Sequence, residues 1–244
     1  MIKLALLLPA YNEAKTLPWC VEQLQAYVDK NLNEYACRIV VVDNGSTDDT
    51  GRVVSELQKK YLKLDYYRLP IKGRGNALKA AWKNLDYDVA LYMDVDLAVE
   101  LSAIKPTIEA VVKHGADISI GSRYAKGAKV ERSLARSITS VGYNILTKLI
   151  IGLKVKDAQC GFKAITKAIA KQLLPLIRDN FWFFDTELLS IAEHKHLKII
   201  EIPVSWVETR PQARKSKVKV FATIMNYIKS LIVLRWRYLT GKAI

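Results

Sequence analysis

Five strand-length apolar runs, separated by stretches with helical spacing, constrain this chain more than any other feature. "KLALLLPA", "CRIVVVDNGS", "LDYYRLP", "DVALYMDVDL" and "ADISIGSRY" read as strands. Between the first two, "TLPWCVEQLQAYVDKN" sets Leu17, Val21, Leu24 and Val28 on one helical face. Helices are also expected in "STDDTGRVVSELQKKYL", with Ser46 or Thr47 as its cap, in "GRGNALKAAWKNL" and in "IKPTIEAVVKHG". This alternation predicts an α/β fold with a doubly wound, mostly parallel sheet. Parallel strands are buried on both faces, which explains why their apolar runs are unbroken.

Ligands of such sheets bind beyond the carboxyl ends of the strands. Pro9, Tyr11, Asn12 and Glu13 gather at one such end, Asp43 and Asn44 at the next, then Asp94 and Asp96, then Gly121, Ser122 and Arg123. Residues i and i+2 of a strand share a face, so Asp94 and Asp96 are expected to point the same way. Two carboxylates held together call for a cation, and oxygen ligands suit Mg²⁺ or Mn²⁺; a solvated acidic turn is the alternative.

The other candidate motifs each carry two readings. Asp43 can accept from a base or ribose, or close a turn. "IKGRGNALKAA" brings Lys72 and Arg74 to a glycine-started helix, and helix N-termini attract phosphate. Arg123, Arg132 and Arg136 suit phosphate or form a solvated basic face. Asp157 can act as a general base or orient a hydroxyl. Asp185, in "FWFFDTELL", is a helix cap or a sugar contact. His114, His194 and His196 read as surface residues.

The chain has 244 residues, half of them hydrophobic, enough for one domain and a C-terminal extension. Its net charge is +14, with a pI near 9.6. That balance favours anionic partners. Phosphorylated substrates and an anionic membrane surface fit; nucleic acid does not, because no nucleic-acid-binding motif is visible. Three scattered cysteines suggest neither zinc nor disulfides, and a reducing cytoplasm. "MIKLALLLPAYNE" is read as a first strand rather than a leader peptide. The longest stretch without a charge, Ser137–Thr147, is shorter than the about 20 apolar residues of a membrane span.

Two amphipathic stripes stand out instead. Ile138, Val141, Ile145 and Leu149 lie beside Arg136 and Lys148. Phe221, Ile224, Met225, Ile228, Leu231 and Ile232 lie opposite Lys229, Arg235 and Arg237. Such helices can rest in a membrane interface; packing against the core or a second subunit is the alternative.

Taken in order, "PAYNE", "DNGSTD", "KGRGNA", "DVDLA", "GSRY" and "DAQCGFK" resemble the inverting family 2 glycosyltransferases of the GT-A fold. The likeness is strongest to polyprenyl-phosphate hexosyltransferases, the dolichyl-phosphate glucose and mannose synthases. It covers roughly residues 3–217. It implies a GT-A domain over 1–217, with 218–244 as a basic amphipathic helical extension. It also implies that Pro9, Tyr11, Glu13 and Asp43 hold the base and ribose, and that Lys72 and Asn76 line the nucleotide pocket. Asp94 and Asp96 would bind the metal on the diphosphate. Arg123, Arg136 and Ser140 would grip the acceptor phosphate, with Arg136 and Ser140 on one helical face. Asp157 and Gln159 would face the reacting centre. Arg214, Ser216 and Lys217 would form a loop over the donor. "DAQCGFK", "WFFDTELL" and "EIPVSWVE" resemble the glucose branch, and Ala98 stands where some mannose synthases carry a glutamine.

The expected activity is metal-dependent transfer of a hexose, glucose from UDP-glucose, onto a polyprenyl or dolichyl phosphate. The protein would work at the cytoplasmic membrane face, peripherally attached. Transfer from GDP-mannose and transfer to a glycan hydroxyl are the nearest alternatives. A nucleotidyltransferase would instead release pyrophosphate, and a non-catalytic nucleotide- or membrane-binding protein would turn nothing over.

Overall fold

Both layers of the molecule rest on β1 (Lys3–Ala10). Its Leu4, Leu6, Leu8 and Ala10 are buried in one apolar layer and its Ala5 and Leu7 in the other. A strand covered on both faces has no polar alternation to show. Each fully buried Leu or Val contributes about 1.5–3 kcal/mol.

The computed structural model describes residues 1–131, 134–207 and 220–241; the side chains of 134–136, 138 and 220–224 lie outside that description. After β1 come α1 (Leu17–Asn31), β2 (Ala36–Asn44), α2 (Thr50–Lys60), β3 (Leu64–Leu69), α3 (Arg74–Asn84), β4 (Val89–Tyr92), α4 (Ile104–Val112) and β5 (Ile118–Ser122). This is the alternation expected. The chain then runs through β6 (Lys129–Glu131), α5 (Leu134–Ile151), β7 (Lys163–Thr166), α6 (Lys167–Leu173), α7 (Phe184–His194), β8 (Ile199–Pro203), β9 (Ser205–Val207) and α8 (Val220–Thr240).

The main sheet has seven strands in the order β3-β2-β1-β4-β7-β5-β8. All neighbours pair in parallel except β7, which runs antiparallel to both β4 and β5. Strand order reverses at β1, between β2 and β4, so a crevice opens there at the carboxyl ends. β6 and β9 form a separate two-stranded parallel ribbon. One face of the sheet is covered by α1 and α4, through Leu17, Val21, Leu24, Ile104 and Ile108. The other is covered by α3, α7 and α8, through Leu78, Leu188, Leu189, Leu231 and Leu234. Cys20, Cys37 and Cys160 are free and buried.

Three expectations are corrected. β4 ends at Tyr92, so Asp94 and Asp96 are not strand residues. They lie in a turn closed by Leu97 N donating to Asp94 O over 3.2 Å, with Leu97 at φ 49°. Val95 and Leu97 are buried under this turn, and their burial, not strand alternation, leaves Asp94 and Asp96 partly exposed on either side of Val95. Secondly, α2 has Asp49 at its N-cap without a side-chain cap bond. Ser46 Oγ and the Thr47 backbone N–H bind Asn12 instead. Thirdly, Leu231 and Arg237 of α8 are buried. They belong to the packed face of the helix, not to an exposed stripe and its basic rim.

Candidate active site

The ends of β2, β1 and the turn after β4 meet around the start of α3. Asp43, at the end of β2 opposite Ala10 of β1, is buried. It accepts from Ser46 N over 2.8 Å and from Tyr66 Oη over 2.5 Å. Burial, together with that bond to Asp43, pushes the Tyr66 phenol up from its ordinary value. Pro9 is one step back in the same register, opposite Val42. Tyr11 lies under Lys72, whose Nζ is 4.0 Å from the ring centroid. The Glu13 N–H donates to Thr50 Oγ1 over 2.9 Å. Pro9, Tyr11, Glu13, Asp43 and Lys72 thus share one end of the sheet.

Asn44 joins this end to α3, since its Oδ1 accepts from Gly73 N over 3.3 Å. Gly73 has φ 155°, and a Cβ there would come within 2.5 Å of Asn180 O. The close approach has a consequence for phosphate binding. Gly75 N donates to Phe181 O over 3.2 Å, and Asn76 N to Asn180 O over 3.0 Å. These first-turn amides are therefore taken by the segment before α7. Two of the amides expected to meet phosphate here are therefore already taken, and the Lys72 and Arg74 side chains supply positive charge beside them.

Arg74 carries that charge inward. Its Nη2 donates to Asp94 Oδ1 over 2.9 Å and its Nη1 to Asp185 Oδ2 over 2.5 Å. Asp185 also takes Lys163 Nζ over 2.6 Å and the hydroxyl of Tyr92. Arg74, Lys163 and Asp185 are all buried, while Asp94 is about half exposed at 45%. Burial opposes the charge on Asp185, but Lys163 and Arg74 outweigh it and hold the carboxyl below its ordinary range. Burial likewise opposes the charge on Arg74, and Asp185 and Asp94 more than restore it. Asp185 is therefore the hub of a buried charge network, not an N-cap.

Asp94 is enclosed from the far side by Gly161. A Cβ on Gly161 would lie 2.4 Å from Asp94 Oδ2 and 2.7 Å from Arg74 Nη2. The loop that carries Gly161 also carries Asp157 and the half-buried Gln159. Asp157 is wholly buried and locked onto Arg123. It accepts from Arg123 Nε over 2.8 Å, Nη2 over 2.7 Å and the backbone N over 2.9 Å. Burial lowers the Arg123 pKa, and the bonds to Asp157 overcome that and raise it. A carboxylate with three N–H donors on its two oxygens is engaged in holding Arg123. Ser140 of α5 accepts from Tyr124 Oη over 2.7 Å.

The structure thus gathers Asp43, Lys72 and Asp94 around the start of α3, and the loop whose Gly161 lies against Asp94 also carries Asp157, paired with Arg123. Asn76 adjoins them by its backbone and Asp96 through its turn. The Arg136 side chain and Arg132, Arg214, Ser216 and Lys217 lie outside the described residues. Sequence reasoning missed Tyr92 and Lys163 as members of the site. A lysine opening the apolar run "KAIT" was the available signal for the second.

No group of three or more His, Cys, Asp or Glu side chains gathers among the described residues. Asp94 and Asp96 offer hard carboxylate oxygens and leave most of a coordination shell to other ligands. That fits Mg²⁺ or Mn²⁺, which keep waters and take substrate phosphate oxygens.

A family model described as Glycosyl transferase family 2 matches residues 5–174. The chain is 30% identical over 240 residues to "Glycosyltransferase AglD" of Haloferax volcanii, covering 98% of this chain and 38% of that protein. It is 29% identical over 262 residues to the dolichyl-phosphate beta-glucosyltransferase of Saccharomyces cerevisiae, covering 98% of this chain and 76% of the relative. Among solved structures, glucosyl-3-phosphoglycerate synthase of Mycobacterium tuberculosis, in complex with Mn²⁺, UDP-glucose and phosphoglyceric acid, superposes with a TM-score of 0.70 at 19% identity. That match covers 96% of this chain and 80% of the other; at this identity it shows the GT-A fold. With the family model spanning most of the chain and the motifs in their order on that fold, the chain belongs to glycosyl transferase family 2.

Proposed function

We propose that this glycosyltransferase moves glucose from UDP-glucose onto a polyprenyl or dolichyl phosphate at a membrane surface. The observation that carries the reading is the placement of Asp94 and Asp96 at the sheet crossover. Asp43 lies on one side of them, and the Arg123–Asp157 pair on the other. A nucleotide at β2 would present its diphosphate to the acidic turn and its sugar toward Arg123. The named activity of the yeast relative supports the sugar and the acceptor.

Asp94 and Asp96 would hold the divalent ion, which when bound supplies charge neutralisation for the departing diphosphate. The acceptor oxygen attacks the anomeric carbon from the face opposite the diphosphate. The bond from that carbon to the diphosphate oxygen breaks, and UDP leaves with inversion. A phosphate monoester has its second pKa near 6, so the acceptor arrives largely as a dianion and needs no general base. This accords with Asp157 being committed to Arg123. Lys72, Gln159 and Ser140, with Arg136, Arg214, Ser216 and Lys217, remain proposed contacts of donor and acceptor.

Membrane contact rests on where apolar surface remains. No helix among the described residues is long and apolar enough to cross a membrane. Val141, Ile145 and Leu149 of α5, and Met225, Ile232, Val233, Trp236 and Leu239 of α8, are nevertheless exposed, with Leu149 at 76% and Leu239 at 71%. Phe181 and Trp182 extend the patch toward Arg74, whose guanidinium is 5.7 Å from the Trp182 ring. Lys148, Lys229 and Arg235 are exposed on the same two helices. Such a surface suits an anionic bilayer interface. Incubation with UDP-glucose labelled in the sugar and a polyprenyl phosphate in vesicles tests the whole reading. Label should enter the lipid extract; label found only as free sugar, or moved only from GDP-mannose, would refute it.

A further inference from the structure

The segment between α6 and α7 is held at both ends by charged side chains that the proposed chemistry does not use. Glu187 of α7 is buried. Its Oε2 accepts from the backbone N–H groups of Arg178 and Asp179 over 3.0 and 2.8 Å. Its Oε1 accepts from Nη1 of Arg237 over 2.5 Å. Arg237, also buried, donates through Nη2 to Leu176 O over 2.7 Å. One ion pair thus fixes residues 176, 178 and 179 to α8.

The same segment forms the wall behind α3. The Asn180 and Phe181 carbonyls accept from the Asn76 and Gly75 amides. Asp179 Oδ1 takes Phe181 N over 2.7 Å and Phe184 N over 3.0 Å, tying the segment to the first turn of α7. Gly73 and Gly75 leave room for this approach: a Cβ would lie 2.5 Å from Asn180 O at Gly73, and 3.0 Å from Asn180 C and 2.7 Å from Phe184 Cβ of α7 at Gly75. A buried ion pair gives little net stability against an apolar replacement, but it fixes geometry. Here that geometry is the position of the α3 N-terminus, with Lys72 just before it and Arg74 in its first turn.

We infer that Arg237 is a positioning residue for donor binding. Through Glu187 it holds the 176–181 segment against α3, and so sets where Lys72 meets the nucleotide and where Arg74 holds Asp94. The C-terminal helix is thereby a working part of the donor site, although its contact with that site is indirect. The inference rests on the proposed donor pocket, and its test is built to separate the two.

The test compares full-length wild type, Arg237→Lys, Arg237→Met and Glu187→Gln. Amide hydrogen exchange at Gly75 and Asn76 is read without nucleotide, using Val41 in β2 as an internal reference. UDP affinity with Mn²⁺, and KM and kcat for UDP-glucose, are read beside it. In Arg237→Met, Gly75 and Asn76 should exchange at least tenfold faster relative to Val41. UDP affinity should fall and donor KM rise by a similar factor, with kcat moving less. Arg237→Lys should recover most of both. If Arg237→Met does not fold, Glu187→Gln, which keeps one of the two acceptor oxygens and removes the charge, should show the same effects. Unchanged exchange in the folded variants overturns the inference whatever the nucleotide does. Altered exchange with unaltered UDP affinity and donor KM overturns its functional half. A wild type that binds neither UDP nor GDP overturns the donor reading, and the exchange at Gly75 and Asn76 still decides the brace.

Discussion

Arg74 Nη1 and Asp185 Oδ2 lie 2.5 Å apart although 111 residues separate them in the chain. The pair connects the start of α3 to the start of α7 beneath the acidic turn. Most of what holds Asp94 in place follows from it.

Asp185→Asn tests that support directly. The variant leaves Arg74 and Lys163 buried with one neutral partner in place of a carboxylate. Removing one partner of a buried ion pair costs about 3–5 kcal/mol, read as a lower midpoint in urea unfolding. The pH dependence has a definite sign. The Asp185 carboxyl is held below its ordinary range, so its contribution is present above about pH 4. It is lost as pH falls through the lower folded value. Wild type should lose this part of its stability only in acid, and Asp185→Asn should lose less over the same interval.

Gly161→Ala separates the site from the fold. The added methyl would fall 2.4 Å from Asp94 Oδ2, so the carboxylate or the loop must move. We expect glucosyl transfer to fall about tenfold or more, since a displacement near 1 Å at a reacting site costs that much. Thermal unfolding should shift by only a few degrees. A variant as active as wild type would show that the close packing of Gly161 on Asp94 is not needed for transfer.

Asp157→Asn distinguishes an anchor from a base. The substitution keeps one acceptor for Arg123 and removes the charge. With a phosphate acceptor, acceptor KM should rise and stability fall, while kcat drops less than the about 10²–10⁴-fold typical of losing a general base. A fall in kcat of that size with KM unchanged would restore Asp157 to a proton-transfer role.

The double variant Ile232→Ser/Leu239→Ser changes only exposed positions of α8. It should sediment less with vesicles containing anionic lipid than wild type does, with its unfolding midpoint unchanged. Equal sedimentation would remove α8 from the membrane-contact surface.

The legible parts of the molecule were those encoded by local pattern. The five apolar runs became β1 to β5, and Asp43, Asn44 and Asp94 at the ends of β2 and β4 come together around the start of α3. Asp94 and Asp96 were singled out for a partly mistaken reason. Strand alternation suggested a shared face, but buried Val95 and Leu97 set that turn. The network beneath them was not legible. Lys163 lies on a short antiparallel strand, and Asp185 opens a helix far along the chain, so only tertiary folding brings either to Arg74. Arg237 shows the same limit. Its place in a basic amphipathic stretch implied an exposed charge, and nothing local marked Glu187, 50 residues earlier, as its partner.

The most direct measurement is release of UDP by purified protein given UDP-glucose and Mn²⁺, with and without a polyprenyl phosphate. The account predicts release that requires both the ion and the lipid phosphate. It should fall about a hundredfold or more in Asp94→Asn, the scale of losing several kcal/mol of charge stabilisation. Release indifferent to the lipid phosphate, or undiminished in Asp94→Asn, would contradict it.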